Sequence, residues 1–110
     1  MATTELKAHV RDEAGAAVIE LHGDIDGRAE SALDDAYGDV EGTDAVLLDF
    51  SGVSYINSTG IALIVGLLAR ARKNGQALSA RGLSQHYRQI FEITRLADFM
   101  TIVDDQGDSK

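Results

Sequence analysis

The chain has 110 residues, of which 45% are hydrophobic, with no proline, no cysteine and a formal net charge of −8. That suits one domain with a single core, and it excludes disulfides, cysteine-ligated metals and compositional disorder. The acidic balance also argues against nucleic acid, which needs clustered Lys and Arg to release counterions.

The first fifteen residues lack a basic start followed by an apolar core, so no signal peptide is expected. The longest uncharged apolar run is about half of the roughly 20 residues a membrane helix needs. A soluble, cytoplasmic protein with no membrane partner is therefore expected.

Leu6, Ala8 and Val10 alternate with polar residues and predict a first strand over residues 4–10. Residues 11–15, ending Ala14-Gly15, read as a hairpin turn. A second strand follows over residues 17–23, with Val18 and Ile19 as core candidates. Gly23, Asp24, Ile25 and Asp26 then lead into a helix over residues 27–40. There Ala29, Leu33, Ala36, Tyr37 and Val40 form one apolar stripe. Asp26 is a good N-cap candidate for it. The D-x-D of Asp24 and Asp26, without further oxygen ligands, is too little for Mg²⁺ or Ca²⁺.

Residues 49–69 are the stretch around which the chain is organised. Ala45, Val46, Leu47 and Leu48 predict a short buried strand, and Ser51, Gly52, Ser54 and Asn57 predict a polar turn after it. Residues 61–69 carry no charge and predict a buried helix. This order puts Asn57, Ser58 and Thr59 at a helix N-terminus, where orphan N–H groups and the macrodipole favour an anion. Ser58 is then either a site of chemistry or a cap.

On a helical wheel, Ile61, Ile64, Val65 and Leu68 form the arc expected to pack on the sheet. Ala62, Gly66 and Ala69 form a neighbouring face of small residues, beside Leu63 and Leu67. That face is either buried under loops or a docking surface; little chain remains to cover Ala62, Leu63 and Gly66, which favours docking. Arg70, Arg72 and Lys73 suit the negative pole at the helix end. Asn74-Gly75 stops the helix, and a strand follows over residues 76–81. Ser84 caps a short helix through Ile93, with Tyr87, Ile90 and Phe91 facing inward. The last strand is expected over residues 99–103. Residues 1–104 form the single domain, and 105–110 are an acidic tail expected to fray.

No P-loop motif and no G-x-S-x-G are present, and His9, His22 and His86 lack metal-ligand spacing. Ser58 is therefore not expected as a hydrolase nucleophile, and the chain is expected to be neither an enzyme nor a holder of cofactor or metal.

The sequence D-F-S-G-V, then apolar residues, then Asn57-Ser58-Thr59-Gly60 and an apolar helix, resembles the STAS domain, in particular the bacterial anti-sigma-factor antagonists. Gly23-Asp24-Ile25-Asp26 upstream and residues 83–103 downstream extend the resemblance over nearly the whole chain. It implies an α/β fold: a mixed sheet of about five strands, mostly parallel in its middle, with three to four helices mainly on one face. It implies that Ser58 is phosphorylated by a partner kinase, an anti-sigma factor that binds only the unmodified protein, and that a phosphatase resets it. Thr59 and Gly60 complete the motif, while Asp24 and Asp26 flank Ser58; Asp26 serving only as a helix cap is an equal reading. Asn57 stands where the family has aspartate, keeping shape and capping while removing one negative charge. The family's closing helix is shortened or missing. Two other readings stay open: an unphosphorylated STAS interaction module, such as a scaffold or lipid-transporter subunit, and a binder of a small anionic ligand.

Overall fold

Ala14 and Gly15 both adopt positive φ (52° and 87°), which makes the tight reversal of a two-residue hairpin. They join β1 (Lys7–Glu13) to β2 (Ala16–Ile25), paired antiparallel. The computed structural model describes residues 4–103, so the acidic tail expected at 105–110 and any closing helix lie outside the described residues. β1 begins and ends three residues later than its alternation predicted. The two-residue turn explains the later end, because it leaves Glu13 paired with Ala16, and Arg11 adds ion pairs to Glu13 and, across the ladder, to Glu20.

β2 leads through a 3₁₀ turn (Gly27–Ala29) into α1 (Glu30–Val40). Then come β3 (Ala45–Ile56), α2 (Ser58–Lys73), β4 (Ala77–Arg81), α3 (Gln85–Ile93) and β5 (Thr101–Val103). The strands form one sheet in the order β1-β2-β3-β4-β5, parallel from β2 onward. This is the expected α/β fold, a mixed five-stranded sheet with three α-helices. Ala17, Ile19, Leu21, Val46, Leu48, Phe50, Leu78 and Ala80 alternate onto one face. There they meet Leu33, Tyr37, Ile64, Leu68 and Phe91 from the helices in a single core. Val18, fully buried but outside that core, alternates to the other face between its register partners Arg11 and Leu47.

Three further expectations give way. The predicted polar turn from Ser51 onward is strand, since β3 continues to Ile56. Its register against β2 shifts twice, and Gly52 stands at the first shift, where a Cβ would lie 2.3 Å from the His22 ring and 2.9 Å from the Leu21 carbonyl. The glycine is there for close approach within the ladder, not for a turn. The arc of α2 is also rotated from the wheel: Gly60, Ile64, Leu67, Leu68 and Ala71 are buried, whereas Val65 is 44% exposed. Contact at Gly60 fixes that rotation, because a Cβ there would sit 1.9 Å from the Ile25 carbonyl oxygen. The final strand is shorter than expected, since Phe99 still belongs to the 3₁₀ turn Leu96–Asp98 as its C-cap.

Candidate functional site

β2 and β3 run parallel, so the chain leaves both at the same end of the sheet. Their last paired residues are Ile25 and Ile56. The Asn57 N–H donates to the Ile25 carbonyl (3.2 Å), and the glycine at position 60 lets the first turn of α2 press against that same carbonyl. Thr59 reaches the other chain exit, its methyl group 3.6 Å from where a Gly27 Cβ would stand. Asn57, Ser58, Thr59 and Gly60 are thereby brought beside the segment that follows Ile25.

Asn57 is the N-cap of α2, and its side-chain oxygen accepts from the Gly60 N–H at 2.8 Å. Ser58 is the first helical residue and exposed; its hydroxyl makes no hydrogen bond among the described residues. Capping and Ser58 are thus separate. The sequence left open whether the serine is the cap, and the geometry gives that work to its neighbour.

Asp26 caps the 3₁₀ turn, accepting from the Arg28 N–H at 3.0 Å. It also holds the Arg28 guanidinium, with Nη2 to Oδ2 at 2.9 Å. These bonds, the side-chain one foremost, lower the Asp26 pKa below the ordinary carboxylate range. Asp24 lies deeper: it is 5% exposed, opposite Tyr55 in the ladder, with its backbone N–H donating to the Thr4 carbonyl (2.8 Å). Among the described residues it makes no hydrogen bond or ion pair with the Ser58 turn.

Along α2, Ala62 and Gly66 are exposed and Leu63 is half-buried, with exposed Val65 and Ala69 beside them. Nothing lies within 4 Å of the place a Gly66 Cβ would take. This leaves an open apolar strip leading away from Ser58. No helix among the described residues is long and apolar enough to cross a membrane, and no metal-holding group of three or more His, Cys, Asp or Glu occurs among them.

Two residues at the site escaped the sequence reading. Arg28 could have been found from D-x-R at a helix start. Tyr87, whose hydroxyl oxygen accepts from the Ile56 N–H at 2.9 Å, carries no local signal, because the two are 31 residues apart.

The chain is similar to the anti-sigma-B factor antagonist of Staphylococcus aureus, with 37% identity over 60 residues. That match takes in 54% of this chain and 56% of the relative, so the chain spans about half the length of the curated relatives it matches. Among solved structures, an anti-sigma factor antagonist from Mycobacterium paratuberculosis aligns with a TM-score of 0.70 at 25% identity, covering 89% of this chain and 85% of that one. The Bacillus cell fate determinant SpoIIAA in its phosphorylated form aligns with a TM-score of 0.67 at 16% identity, covering 90% and 93%, and shares the fold. Residues 8–104 match the family described as Mlab, STAS domain, and by a match over that much of its length the chain belongs to the STAS domain family.

Proposed function

We propose that this protein is an anti-sigma-factor antagonist acting as a phosphorylation-controlled partner switch in the cytoplasm. Unmodified, it binds a kinase-type anti-sigma factor and so frees the sigma factor. The kinase then uses its own ATP and Mg²⁺: the Ser58 oxygen attacks the γ-phosphorus, the bond to ADP breaks, and the hydroxyl proton leaves to a base of the kinase. A phosphatase resets the serine. In this cycle the chain is a substrate and not a catalyst.

One observation carries the reading. Ser58 is exposed at the start of α2 and its hydroxyl is uncommitted among the described residues, because Asn57 does the capping. A phosphate placed there gains a helix N-terminus, so the fold tolerates it. The strip of exposed Ala62 and Gly66 with half-buried Leu63 runs from the same helix end and is the docking surface in this proposal. A group of charge about −1.5 to −2 cannot be desolvated against an apolar partner there. Arg28 already offsets Asp26, so that desolvation outweighs repulsion from the carboxylate. A loss of about 3 kcal/mol weakens binding more than a hundredfold. The likeness to the Staphylococcus aureus antagonist supports the partner class.

The test is incubation with the cognate anti-sigma factor kinase and ATP, followed by peptide mass spectrometry. Phosphate on Ser58 and release of the complex are expected; phosphate elsewhere, or none, sinks the reading. A second reading keeps the chain as an unphosphorylated STAS interaction module, such as a scaffold or lipid-transporter subunit; the matching family is described only as Mlab, STAS domain, with no sigma factor in that description. It predicts stable association with such a complex and no phosphate on Ser58.

A further inference from the structure

β3 and β4 stay in register only as far as Asp49 and Arg81. Residues 50–56 of β3 then continue with no strand beside them on the β4 side among the described residues. On the other side β2 accompanies β3 to Ile25 and Ile56, and the Asn57 N–H closes onto the Ile25 carbonyl. The strand that delivers Ser58 is therefore held by a ladder on one flank. On the open flank the Ile56 N–H donates instead to the Tyr87 hydroxyl oxygen at 2.9 Å.

Tyr87 is itself well fixed. Its backbone N–H donates to the Ser84 hydroxyl that caps α3 (3.3 Å). Its ring walls a cavity of about 140 Å³ together with Phe50, Val53, Ile56 and Leu83. We infer that Tyr87 is a positioning residue for Ser58: its hydroxyl replaces the missing strand partner of Ile56 and holds the β3–α2 junction from the α3 side. The inference rests on Ser58 being the phosphoacceptor. It adds that α3, far away in sequence, sets how well ordered that acceptor is. Phosphoryl transfer depends on a near-attack geometry, so a loosened junction slows the chemical step rather than docking.

Tyr87→Phe keeps the ring and the cavity wall and removes only the accepting oxygen. Thr94→Val is the control, since it removes a hydrogen bond at the far end of α3 (Thr94 Oγ1 to the Ile90 carbonyl, 2.7 Å). Amide hydrogen exchange is read at Ile56, Asn57 and Gly60, whose N–H groups are all bonded, and phosphorylation kinetics are measured on the same samples. Tyr87→Phe is expected to speed exchange at Asn57 and Gly60 about fivefold beyond Thr94→Val at matched stability. It should lower kcat about fivefold with KM unchanged. A bond that only satisfied a half-buried amide would leave Asn57, Gly60 and kcat alike in the two variants, and that result overturns the inference. If the parent protein accepts no phosphate, the partner-switch reading fails by itself, and exchange still decides whether Tyr87 holds the junction.

Discussion

Gly60 and Ile25 meet so closely that no side chain fits between them: a Cβ on Gly60 would stand 1.9 Å from the Ile25 carbonyl oxygen and 2.7 Å from its carbon. The obstacle is backbone at the end of a paired strand, so it cannot rotate aside as a flexible side chain would. Helix propensity favours alanine over glycine by about 1 kcal/mol, but displacing α2 from the sheet costs more. Gly60→Ala is expected to destabilise the protein by about 3 kcal/mol, read from the urea midpoint. A cost under about 1 kcal/mol would mean that α2 is not seated on β2 in this way.

The same contact shows how far the sequence could be read. Apolar patterning located the three described α-helices, though not the 3₁₀ turn Leu96–Asp98, and the stripe from Ala29 to Val40 is buried as it foretold. Ser84 and Asn74-Gly75 acted as written, capping α3 and ending α2. Periodicity alone cannot give the rotation of a helix that is apolar all round, and so Val65 was placed in the core and Leu67 at its edge. That rotation depends on a contact between residues 25 and 60, which no local pattern encodes. Gly52 misled for the same reason, since the atoms that demand a glycine there belong to His22 and Leu21. At the site, motif residues 57–60 could be located from sequence, whereas the division of labour between Asn57 and Ser58 needed coordinates.

Gly66 stands at the opposite extreme from Gly60, with open space around its missing side chain. Gly66→Leu is expected to raise stability slightly, by up to about 0.8 kcal/mol, because leucine is the better helix former. Under the proposed function it fills a face meant for close approach, so KM for the kinase rises while kcat holds. Unfolding of this variant would show that Gly66 is core, and an unchanged KM would take the strip out of the interface.

On the helix-free side of the sheet, Arg81 of β4 joins Asp49 of β3 and Glu13 of β1, at 3.0 Å each. Hydrogen bonds from Arg81 and then Arg11 lower the Glu13 pKa. Burial pushes Asp49 up, but hydrogen bonds from Ser51 and Arg81 outweigh it and leave its pKa lowered. Both carboxylates thus bind fewer protons when folded than when unfolded near pH 4. Their contribution is complete above the unfolded values and is lost as pH falls through the folded ones. Stability should therefore decline from about pH 4 downward. Arg81→Met should make that decline shallower in urea titrations at stepped pH, and an equal slope in both proteins would remove this lattice as the cause.

Ser58 allows the sharpest separation of fold from function, because its hydroxyl holds nothing among the described residues. Ser58→Ala is expected to change stability by less than about 0.5 kcal/mol, since the cap belongs to Asn57. It should bind the kinase and stay bound when ATP is added. Ser58→Asp places one negative charge at the first position of α2, where the helix dipole favours it by about 0.3–1 kcal/mol. That variant should melt no lower than the parent. In a titration, however, it should lose most of its affinity, because the charge must be desolvated against the partner. The two variants therefore share a melting temperature to within a few degrees and differ in binding by roughly tenfold or more, as a difference of 1.4 kcal/mol gives. Equal affinity of both for the kinase would mean that Ser58 lies outside the recognised surface and that the exposed turn is only the well-capped start of a helix.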